Sequence, residues 1–347
     1  MHQLEHEVLG EIKNNALLNN ENTVVIGVSG GGDSMALFHI LAALRRILQL
    51  TLVPVYVDHG LRPKETPGER QLVSSVAASY GLAAELVQVA VLEKAGREKK
   101  SIEQAARDLR YQTFTAVKKR SKADCIAVAH TRDDQVEEVL HRFLRGSSRK
   151  ALAGMAMKNG DIIRPLLHIE KRRLLSYLRD KQFSFCHDSS NDDDRFFRNR
   201  IRRELLPLLE RHYNQGISSA ILKTASNMSV DEALLEQLTK SAWEAVYLPL
   251  EKERGETEWE SLQLHRLLFL KQHPALQRRV IEKALWRLGT EARYEHIVSI
   301  VDAARAKKSG IELHLSKGLR AVISRERILF LYPLGQRAWR GSVKKIS

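Results

Sequence analysis

A glycine-rich loop between an apolar run and a helical pattern constrains this chain more than any other feature. The loop follows the apolar run Thr23–Val28 and precedes a helix that begins near Met35; its residues are Ser29, Gly30, Gly31, Gly32, Asp33 and Ser34. Consecutive glycines permit backbone conformations closed to other residues, so several N–H groups can face an anion at the positive end of the helix. The serines add hydroxyl donors, and Asp33 can hold a magnesium ion. The loop is therefore predicted to bind pyrophosphate.

Two other phosphate-binding loops are excluded by their patterns. A Walker loop requires G-x-x-x-x-G-K-[ST], and no lysine follows these glycines, while the dinucleotide fingerprint G-x-G-x-x-G is also absent here. The remaining pattern, S-G-G-x-D-S, resembles the signature of the N-type ATP pyrophosphatases, which cleave ATP to AMP and pyrophosphate. A glycine turn without chemistry is the alternative, and the strand before the loop and the helix after it argue against that alternative.

Length and charge narrow the class of protein. A chain of 347 residues favours two domains, and 56 Lys and Arg against 42 Asp and Glu give a net charge of +14. Such a charge favours a polyanionic partner: RNA, DNA or an anionic membrane surface. No apolar run approaches the roughly 20 residues of a membrane span, and the N-terminus lacks the pattern of a secretory signal. We expect a cytoplasmic protein that does not bind membranes.

Strands and helices alternate in the first part of the chain. Apolar runs predict strands at 23–29, 51–58, 84–89 and 125–130, and helical patterns lie at 1–18, 35–48, 66–80 and 101–120. This alternation predicts an α/β domain with a doubly wound parallel sheet. Its ligand should lie at the carboxyl ends of the strands.

The pattern changes near residue 214. Long helices without intervening strands are predicted at 217–247, 261–288 and 291–306, followed by a strand meander with a turn at Lys317-Gly318. We therefore assign residues 1–214 to a first domain, 215–334 to a mainly helical second domain and 335–347 to a basic tail.

A second cluster of polar residues follows the fourth predicted strand. His130, Asp134 and Glu137 are spaced four and three apart, so a helix would place them on one face. His130 and Asp134 should meet Asp33 across neighbouring strand ends, as a site for magnesium and triphosphate requires. Helix capping by Asp133, with the other acids solvated, is the alternative.

A third cluster runs from an acidic turn into a cationic helix. The acidic turn is Asp188–Asp194, and the helix carries Arg198, Asn199 and Arg202. Arginine binds phosphate through two parallel hydrogen bonds, which predicts contact with RNA or with a leaving phosphate. A capped surface helix with a solvated arginine face is the alternative, and charge alone does not separate the two.

Together these motifs resemble those of the tRNA(Ile)-lysidine synthetase family. Beyond the loop, the matching segments in order are Val57–Arg62, Glu103–Arg107 with Arg110-Tyr111, His130–Glu137, Arg145-Gly146, Leu152–Met155, Arg164–Leu167, and Asp188–Asn191 leading to Arg198-Asn199 and Arg202. The resemblance covers residues 24–210 and is weaker beyond them, where Glu295–Ile297 and Lys317–Arg320 carry it. It implies an adenine nucleotide α-hydrolase-like fold.

The resemblance also implies a reaction. ATP activates the C2 oxygen of the wobble cytidine in the CAU anticodon of tRNA(Ile) as an adenylate, with release of pyrophosphate, and the ε-amine of free L-lysine then displaces AMP to form lysidine. In this interpretation the first domain is catalytic and the second grips the tRNA. ATP and Mg²⁺ are the implied cofactors, and a homodimer is left open.

Site residues carry over from the family by position. The implied catalytic residues are Asp33, His130, Asp134 and Glu137, with Mg²⁺ on Asp33 and Asp134, and with Glu137 and Asp134 as candidates to bind the lysine ammonium. ATP contacts are implied for the loop, Arg107 and Arg110. tRNA contacts are implied for Asp58, His59, Arg62, Arg198, Asn199 and Arg202.

Two positions depart from the family pattern. Thr131 stands where the family often has a second histidine, and Glu138 stands where threonine is usual. Larger members carry a further C-terminal domain that helps to grip the tRNA, so we expect a compact form or a truncation.

Two rival functions remain open. A tRNA thiolase of the same fold delivers sulfur through cysteines, either from C-x-x-C or from two site cysteines. Here Cys125 and Cys186 are the only cysteines, neither lies in a C-x-x-C pair, and Cys125 falls in a strand pattern that predicts burial. The second rival is a catalytically silent RNA-binding protein regulated by ATP. Other pyrophosphatase-type enzymes, such as amidotransferase-linked synthetases, explain the basic charge less well.

Overall fold

The computed structural model describes residues 1–63, 65–146, 149–186, 197–249 and 261–332. The chain divides into two compact units, Met1–Ser229 and Val230–Ser347. The proposed boundary at residue 214 precedes this division, and the separate roles assigned to the two domains stay predictions. The basic tail 335–347 and the acidic turn Asp188–Asp194 lie outside the described residues.

The first unit alternates strands and helices. Its strands are β1 (Thr23–Gly27), β2 (Thr51–Asp58), β3 (Glu85–Gln88), β4 (Cys125–Ala127), β5 (Lys158–Asn159) and β6 (Ile162–Ile163). Its helices are α1 (Gln3–Asn14), α2 (Gly32–Leu44), α3 (Thr66–Ser79), α4 (Val91–Glu98), α5 (Ile102–Arg120), α6 (Arg132–Leu144), α7 (Arg149–Leu152), α8 (Lys171–Asp180), α9 (Phe197–Arg200) and α10 (Leu206–His212). A π-helical turn, Ile201–Leu205, joins α9 to α10, and α11 (Ile217–Val246) follows.

The strands of the first unit form one six-stranded sheet in the order β3-β2-β1-β4-β6-β5. All neighbouring strands are parallel except the edge strand β5, which is antiparallel to β6. Strand order reverses beside β1, where β2 lies on one side and β4 on the other, and ligands of such sheets bind at this switch point. The glycine-rich loop follows β1 and His130 follows β4, so both lie at the switch point. The predicted fold class is confirmed.

Helices cover both faces of this sheet. Helix α2 buries Met35, Leu37 and Phe38 completely on one side. On the other side Phe114 of α5 packs so closely on Gly27 that a β-carbon there would lie 2.6 Å from the ring. Burying a side chain of this size contributes about 1.5–3 kcal/mol, so these contacts anchor the strand that carries the loop.

The second unit combines helices with an antiparallel sheet. Its elements after α11 are β7 (Tyr247–Leu248), β8 (Ser261–His265), α12 (Arg266–Leu270), α13 (Pro274–Arg287), α14 (Tyr294–Arg305), β9 (Ile311–His314), β10 (Arg320–Ile323) and β11 (Arg327–Leu331). The sheet order is β7-β8-β11-β10-β9. The predicted meander is present, and its turn places Lys317 and Gly318 at φ of 60° and 78°.

The prediction of helices without intervening strands in this unit was wrong. Residues 261–265 form β8 and pair with β11, because Leu262 and Leu264 alternate with polar residues and bury on one face of the sheet. The His265 side chain then accepts from Leu268 N and caps α12. Among the described residues, no helix combines the length and apolar character needed to cross a bilayer.

Candidate active site

The glycine-rich loop is closed by its two serines. Ser29 N donates to Ser34 Oγ at 3.0 Å, the two hydroxyl oxygens lie 3.0 Å apart, and Ser34 Oγ donates to the Gly31 carbonyl at 2.9 Å. Gly30 has a φ of +84°, which a residue with a side chain rarely adopts. Gly31 offers no side-chain cap to α2, so the helix presents its first N–H groups to a bound anion.

A neighbouring segment supports the same loop. Cys186 N donates to the Gly30 carbonyl at 2.8 Å, and Cys186 forms an isolated parallel bridge with Gly31. A β-carbon at Gly32 would lie 2.9 Å from Leu175 Cδ2, so the Leu175 side chain of α8 packs closely against the loop at this glycine. Backbone conformation therefore requires a glycine at Gly30, and Gly32 leaves room for the Leu175 side chain.

Asp33 lies in the first turn of α2 and is paired with a lysine from α8. Lys171 Nζ lies 3.1 Å from Asp33 Oδ2, while the buried Oδ1 accepts no hydrogen bond from any described residue. Burial raises the pKa of Asp33, and the charge of Asp134 raises it further, although Lys171 opposes both effects. Lys171 was not among the residues predicted from sequence, because its helix is separated from the loop by most of the first unit.

Asp134 lies in the first turn of α6 and forms a capping box with Thr131. Thr131 N and Thr131 Oγ1 both donate to Asp134 Oδ2, at 2.8 and 2.9 Å, and Asp134 N donates back to Thr131 Oγ1 at 3.3 Å. Burial alone would raise the pKa of Asp134, but the hydrogen bonds from Thr131 and the charge of Arg198 outweigh it and lower the pKa. Thr131, which departs from the family pattern, thus fixes the Asp134 carboxylate.

One prediction was wrong at this helix, and one alternative is excluded. The alternative of capping by Asp133 is excluded because Thr131 caps α6, while the Asp133 carboxylate accepts from Lys171 N at 2.8 Å. His130 precedes α6 instead of sharing its face, because the helix begins at Arg132. The charge of Asp134 nevertheless acts on His130.

Glu137 is the most deeply buried of the predicted site residues, with 1% of its surface exposed. Arg202 donates to both of its carboxylate oxygens, with Nε at 2.5 Å and the second nitrogen at 3.1 Å, and Arg198 Nε lies 3.4 Å away. Burial raises the pKa of Glu137, so the carboxylate depends on these two guanidinium groups to remain ionised. Arg202 also lies 3.7 Å from Asp134 Oδ1, which links the third sequence cluster to the second.

Glu138, the other departure from the family pattern, also contacts a cation of the third cluster. Arg142 Nε donates to Glu138 Oε1 at 2.7 Å, and the second oxygen lies 3.4 Å from Arg198. The acidic side chain therefore balances charge beside Glu137. Asn199 lies next to Arg198 on α9 and is buried, with 9% of its surface exposed.

His130 is a half-buried imidazole whose low pKa keeps it neutral. Burial lowers its pKa to about 4, and the charges of Arg164, Arg110 and Arg198 contribute in the same direction. Arg164 Nε donates to His130 Nδ1 at 3.3 Å, so the neutral ring carries its proton on Nε2. Arg164 was named in a matched segment but given no role; it is buried and donates as well to the Ala156 carbonyl at 2.7 Å.

Several arginine side chains lie near His130, and their charges act on it. The guanidinium carbons of Arg107 and Arg110 lie 5.1 and 5.8 Å from the centre of the Tyr111 ring. Burial lowers the pKa of Arg110, and the like charges of Arg107 and Arg198 lower it further. Such a set of cations has a strong preference for a polyanion.

The segment after β2 contributes a second neutral histidine. Burial lowers the pKa of His59 to about 4, and the charge of Arg110 adds to this. Asp58 Oδ1 accepts from Gly60 N at 2.8 Å and so shapes the turn. Arg62 lies 2.8 Å from Glu65 and 3.3 Å from the buried Glu69, so these ion pairs join the turn after β2 to the start of α3. The tRNA contacts assigned to Asp58, His59 and Arg62 stay predictions.

The residues at the switch point fit a magnesium ion bound together with phosphates. Asp33 and Asp134 are close enough for the charge of one to raise the pKa of the other. Within the described part of the chain no group of three or more His, Cys, Asp and Glu could hold a metal by itself. Magnesium commonly uses one or two carboxylates and completes its octahedron with water and phosphate oxygens, and Asp33 Oδ1 lacks any other partner among the described residues.

Comparison with known proteins gives the family. Residues 2–209 match the PP-loop domain family. The chain is 32% identical to the tRNA(Ile)-lysidine synthase of Geobacillus kaustophilus over 332 residues, covering 92% of this chain and 69% of the relative. This chain belongs to the tRNA(Ile)-lysidine synthase family. The family predicted from the motifs is confirmed, and with it an ATP-using enzyme that modifies tRNA.

Other lysidine synthases match over different lengths. Identity to the enzyme of Bacillus subtilis is 33% over 319 residues, covering 89% of this chain and 66% of the relative. Identity to the enzyme of Clostridium tetani is 31% over 230 residues, covering 66% of this chain and 49% of the relative. The chain thus spans between about half and two thirds of the length of these lysidine synthases.

A solved structure of a different enzyme shares the fold. The U34-tRNA thiolase NcsA from Methanococcus maripaludis, with its [4Fe-4S] cluster, superimposes with a TM-score of 0.54 at 20% identity, covering 73% of this chain and 82% of that chain. Such a cluster is commonly held by several cysteine thiolates, whereas this chain contains two cysteines in all. At this identity the likeness to NcsA shows the fold alone.

The two cysteines of this chain are poorly suited to sulfur transfer. Cys125 is buried, as expected, and burial raises the pKa of its thiol to about 12. Burial also raises the pKa of Cys186. A reactive thiolate needs a lowered pKa, so neither cysteine has the environment of a nucleophile.

Proposed function

We propose that this chain ligates L-lysine to C2 of the wobble cytidine in the CAU anticodon of tRNA(Ile), converting ATP to AMP and pyrophosphate. Family membership supports the overall reaction. The observation that carries the ATP chemistry is that Lys171 contacts both Asp33 and Asp133, which brings Asp33 close to the first turn of α6, where Asp134 lies, beside the closed glycine-rich loop. Asp33 and Asp134 lie in the first turns of α2 and α6, the helices that follow β1 and β4 at the switch point.

In the first step the cytidine C2 oxygen attacks the α-phosphorus of ATP. An oxygen–phosphorus bond forms, the bond between the α- and β-phosphates breaks, and pyrophosphate leaves toward the N–H groups and serine hydroxyls of the loop. His130 is neutral and carries its proton on Nε2, which makes it a hydrogen-bond donor for the α-phosphate. Arg107 and Arg110 supply positive charge for the nucleotide.

Asp33 and Asp134 would hold Mg²⁺, which when bound supplies positive charge to neutralise the phosphates. Lys171 now neutralises Asp33, and its flexible ammonium can reach a phosphate oxygen once Asp33 has another partner. These residues position the substrates and neutralise the charge of the phosphates. The reaction needs no covalent enzyme intermediate.

In the second step the lysine ε-amine attacks C2 and AMP leaves. The ammonium has an unperturbed pKa of about 10.4, so it must be bound by a carboxylate and must lose a proton before attack. Asp134 and Glu137 are the candidates, and they differ in surroundings: Arg202 bonds both oxygens of Glu137 but lies 3.7 Å from Asp134 Oδ1. We therefore assign Glu137 to position Arg202 and Arg198, and Asp134 to face the substrates.

The RNA contacts complete the proposal. Arg198, Asn199 and Arg202 lie on the helix beside Asp134, where they can bind the RNA backbone, and the segment Asp58–Arg62 lies at the neighbouring strand end. The second unit is proposed to grip the tRNA. We further propose that the protein acts in the cytoplasm, with a homodimer as the alternative to a monomer.

The test is ATP turnover that depends on both other substrates. Release of AMP and pyrophosphate should require tRNA(Ile) and lysine together, and Asp33→Asn should abolish it while tRNA binding persists. A silent RNA-binding protein would bind tRNA without turnover, and turnover unchanged in Asp33→Asn would contradict the assigned site.

A further inference from the structure

An apolar groove lies beside the end of α6, away from the loop. Its volume is about 280 Å³, and its lining combines one cation, Arg200, and one acid, Glu204, with the apolar residues Leu144, Phe197, Ile201, Leu205 and Leu208. We call it the Leu144–Leu208 groove. Leu144 and Leu208 are 51% and 49% exposed, and the adjacent Phe143 is 66% exposed. A cluster of large apolar side chains left in water at one place commonly marks a binding surface.

The aromatic ring in this groove is flanked by cationic and planar groups. The Arg200 guanidinium carbon lies 5.2 Å from the centre of the Phe197 ring, and the His141 ring centre lies 5.4 Å away on α6. Arg145 adds a further positive charge that acts on His141. Apolar surface combined with aromatic rings and guanidinium planes is the chemistry that stacks unpaired nucleobases.

The groove and the candidate active site share two elements of the first unit, α6 and the π-helical turn. The π-helical turn Ile201–Leu205 lines the groove with Ile201 and Leu205, and its Arg202 bonds Glu137 in the site. Leu144 follows Glu137 by seven residues on α6, a rise of roughly 10 Å. This separation fits a base a few nucleotides from the reacting one.

We propose that the Leu144–Leu208 groove binds an unpaired base of the RNA substrate that flanks the modified cytidine. The proposal rests on the proposed function, because it takes the RNA to be the molecule whose cytidine reacts beside Asp134. A base in the groove holds the neighbouring strand while the cytidine enters the site. The Arg200 guanidinium beside the Phe197 ring favours a nucleobase over an apolar peptide for this surface.

The first test uses neutral substitutions of exposed leucines. Leu144→Gln and Leu208→Gln should each raise the KM for tRNA about tenfold, with the KM for ATP and for lysine unchanged. The dependence of the tRNA KM on salt should keep its slope, because no phosphate contact is lost. Leu92→Gln, at a leucine that is 61% exposed on α4, is the matched control and should behave as wild type.

The outcomes separate this inference from the proposed function. Absence of lysidine formation by the wild type contradicts the proposed function itself. Lysidine formation by the wild type, with equal tRNA KM values for Leu144→Gln, Leu208→Gln and Leu92→Gln, overturns the groove assignment alone. Sedimentation that shows a wild-type dimer and a Leu208→Gln monomer with unchanged tRNA KM assigns the groove to self-association and also overturns it.

A second test reports contact directly. Phe143 is replaced by the photoreactive p-benzoylphenylalanine, and the full chain is irradiated with tRNA(Ile). The crosslink should map to a base of the anticodon loop. A crosslink to the acceptor arm, or no crosslink under conditions where the variant modifies tRNA, overturns the inference.

Discussion

Lys171 Nζ lies 3.1 Å from Asp33 Oδ2, so the first residue of α8 neutralises an acid in the first turn of α2. The backbone N–H of Lys171 also donates to Asp133 of α6 at 2.8 Å. One residue therefore joins the helix after the loop to the helix after β4. This contact explains how the first unit holds an acid with a burial-raised pKa beside the phosphate-binding loop.

Replacing Lys171 by Met should raise the KM for ATP about tenfold, because a charge-assisted contact near the phosphates is lost. Lys171→Arg should restore most of the affinity. The measurement is ATP-dependent pyrophosphate release at saturating tRNA, with Lys181→Met, at the residue that follows α8, as the control. An ATP KM that stays at the wild-type value in Lys171→Met would show that the lysine serves only the fold.

Glu137→Gln should lower the free energy of unfolding by about 1.5–3 kcal/mol, because the half-buried Arg202 and Arg198 lose the charge-assisted contacts of a buried carboxylate. Urea denaturation measures this. Glu138→Gln is the matched control one position along α6; its carboxylate is more exposed, so its loss should cost about 1 kcal/mol or less. Equal stability of the two variants would refute the positioning role of Glu137.

His130 should make stability depend on pH. Its pKa falls from 6.5 in the unfolded chain to about 4 in the fold, so the unfolded state binds more protons between these values. The free energy of unfolding should therefore fall by on the order of 3 kcal/mol as pH is lowered from 6.5 to about 4. The raised pKa values of Asp33 and Glu137 act in the opposite direction, so a variant is needed to isolate the histidine.

The free energy of unfolding is therefore compared between the wild type and His130→Gln as the pH is lowered from 6.5 to about 4. The His130→Gln variant should lose less stability than the wild type. His212→Gln, at an exposed histidine, should retain the full loss. Identical pH profiles for His130→Gln and the wild type would mean that His130 is not held neutral by burial.

Local patterns predicted the sheet and the loop well, and long-range pairs poorly. The strands at 23–29 and 51–58 are long, apolar and bounded by turn residues, so their sequence pattern is sufficient to predict them as strands. Arg202 and Glu137 are separated by 65 positions, and Asp33 and Lys171 by more, so no spacing rule could pair them. Each cluster was predicted to carry chemistry, but only the fold shows which charges neutralise each other.

Errors in the sequence interpretation arose where two periods overlap. Leu262 and Leu264 alternate as in a strand, but with Leu267 and Leu268 they also fit a helical stripe, which predicts a helix here. Residues 261–265 form a strand because they pair with β11, a tertiary contact that overrides the local pattern. Strands β5 and β6 have two residues each, too few for any pattern.

The double variant Cys125→Ala with Cys186→Ala should retain tRNA modification at a rate near the wild type, because both thiols have raised pKa values and neither is needed for ligation. The measurement is lysine incorporation into tRNA per unit time. Complete loss of modification in a folded double variant would favour sulfur transfer.

The most direct test of the central claim is the mass of the wobble nucleoside. The protein is incubated with ATP, Mg²⁺, L-lysine and an isoleucine tRNA bearing a CAU anticodon, and the digested tRNA is analysed by mass spectrometry. In the wild-type reaction the wobble cytidine should gain the mass of one lysine less one water, and in the Asp33→Asn reaction its mass should stay unchanged. An unmodified cytidine in the wild-type reaction, or the smaller gain that results when sulfur replaces the C2 oxygen, would contradict lysidine formation.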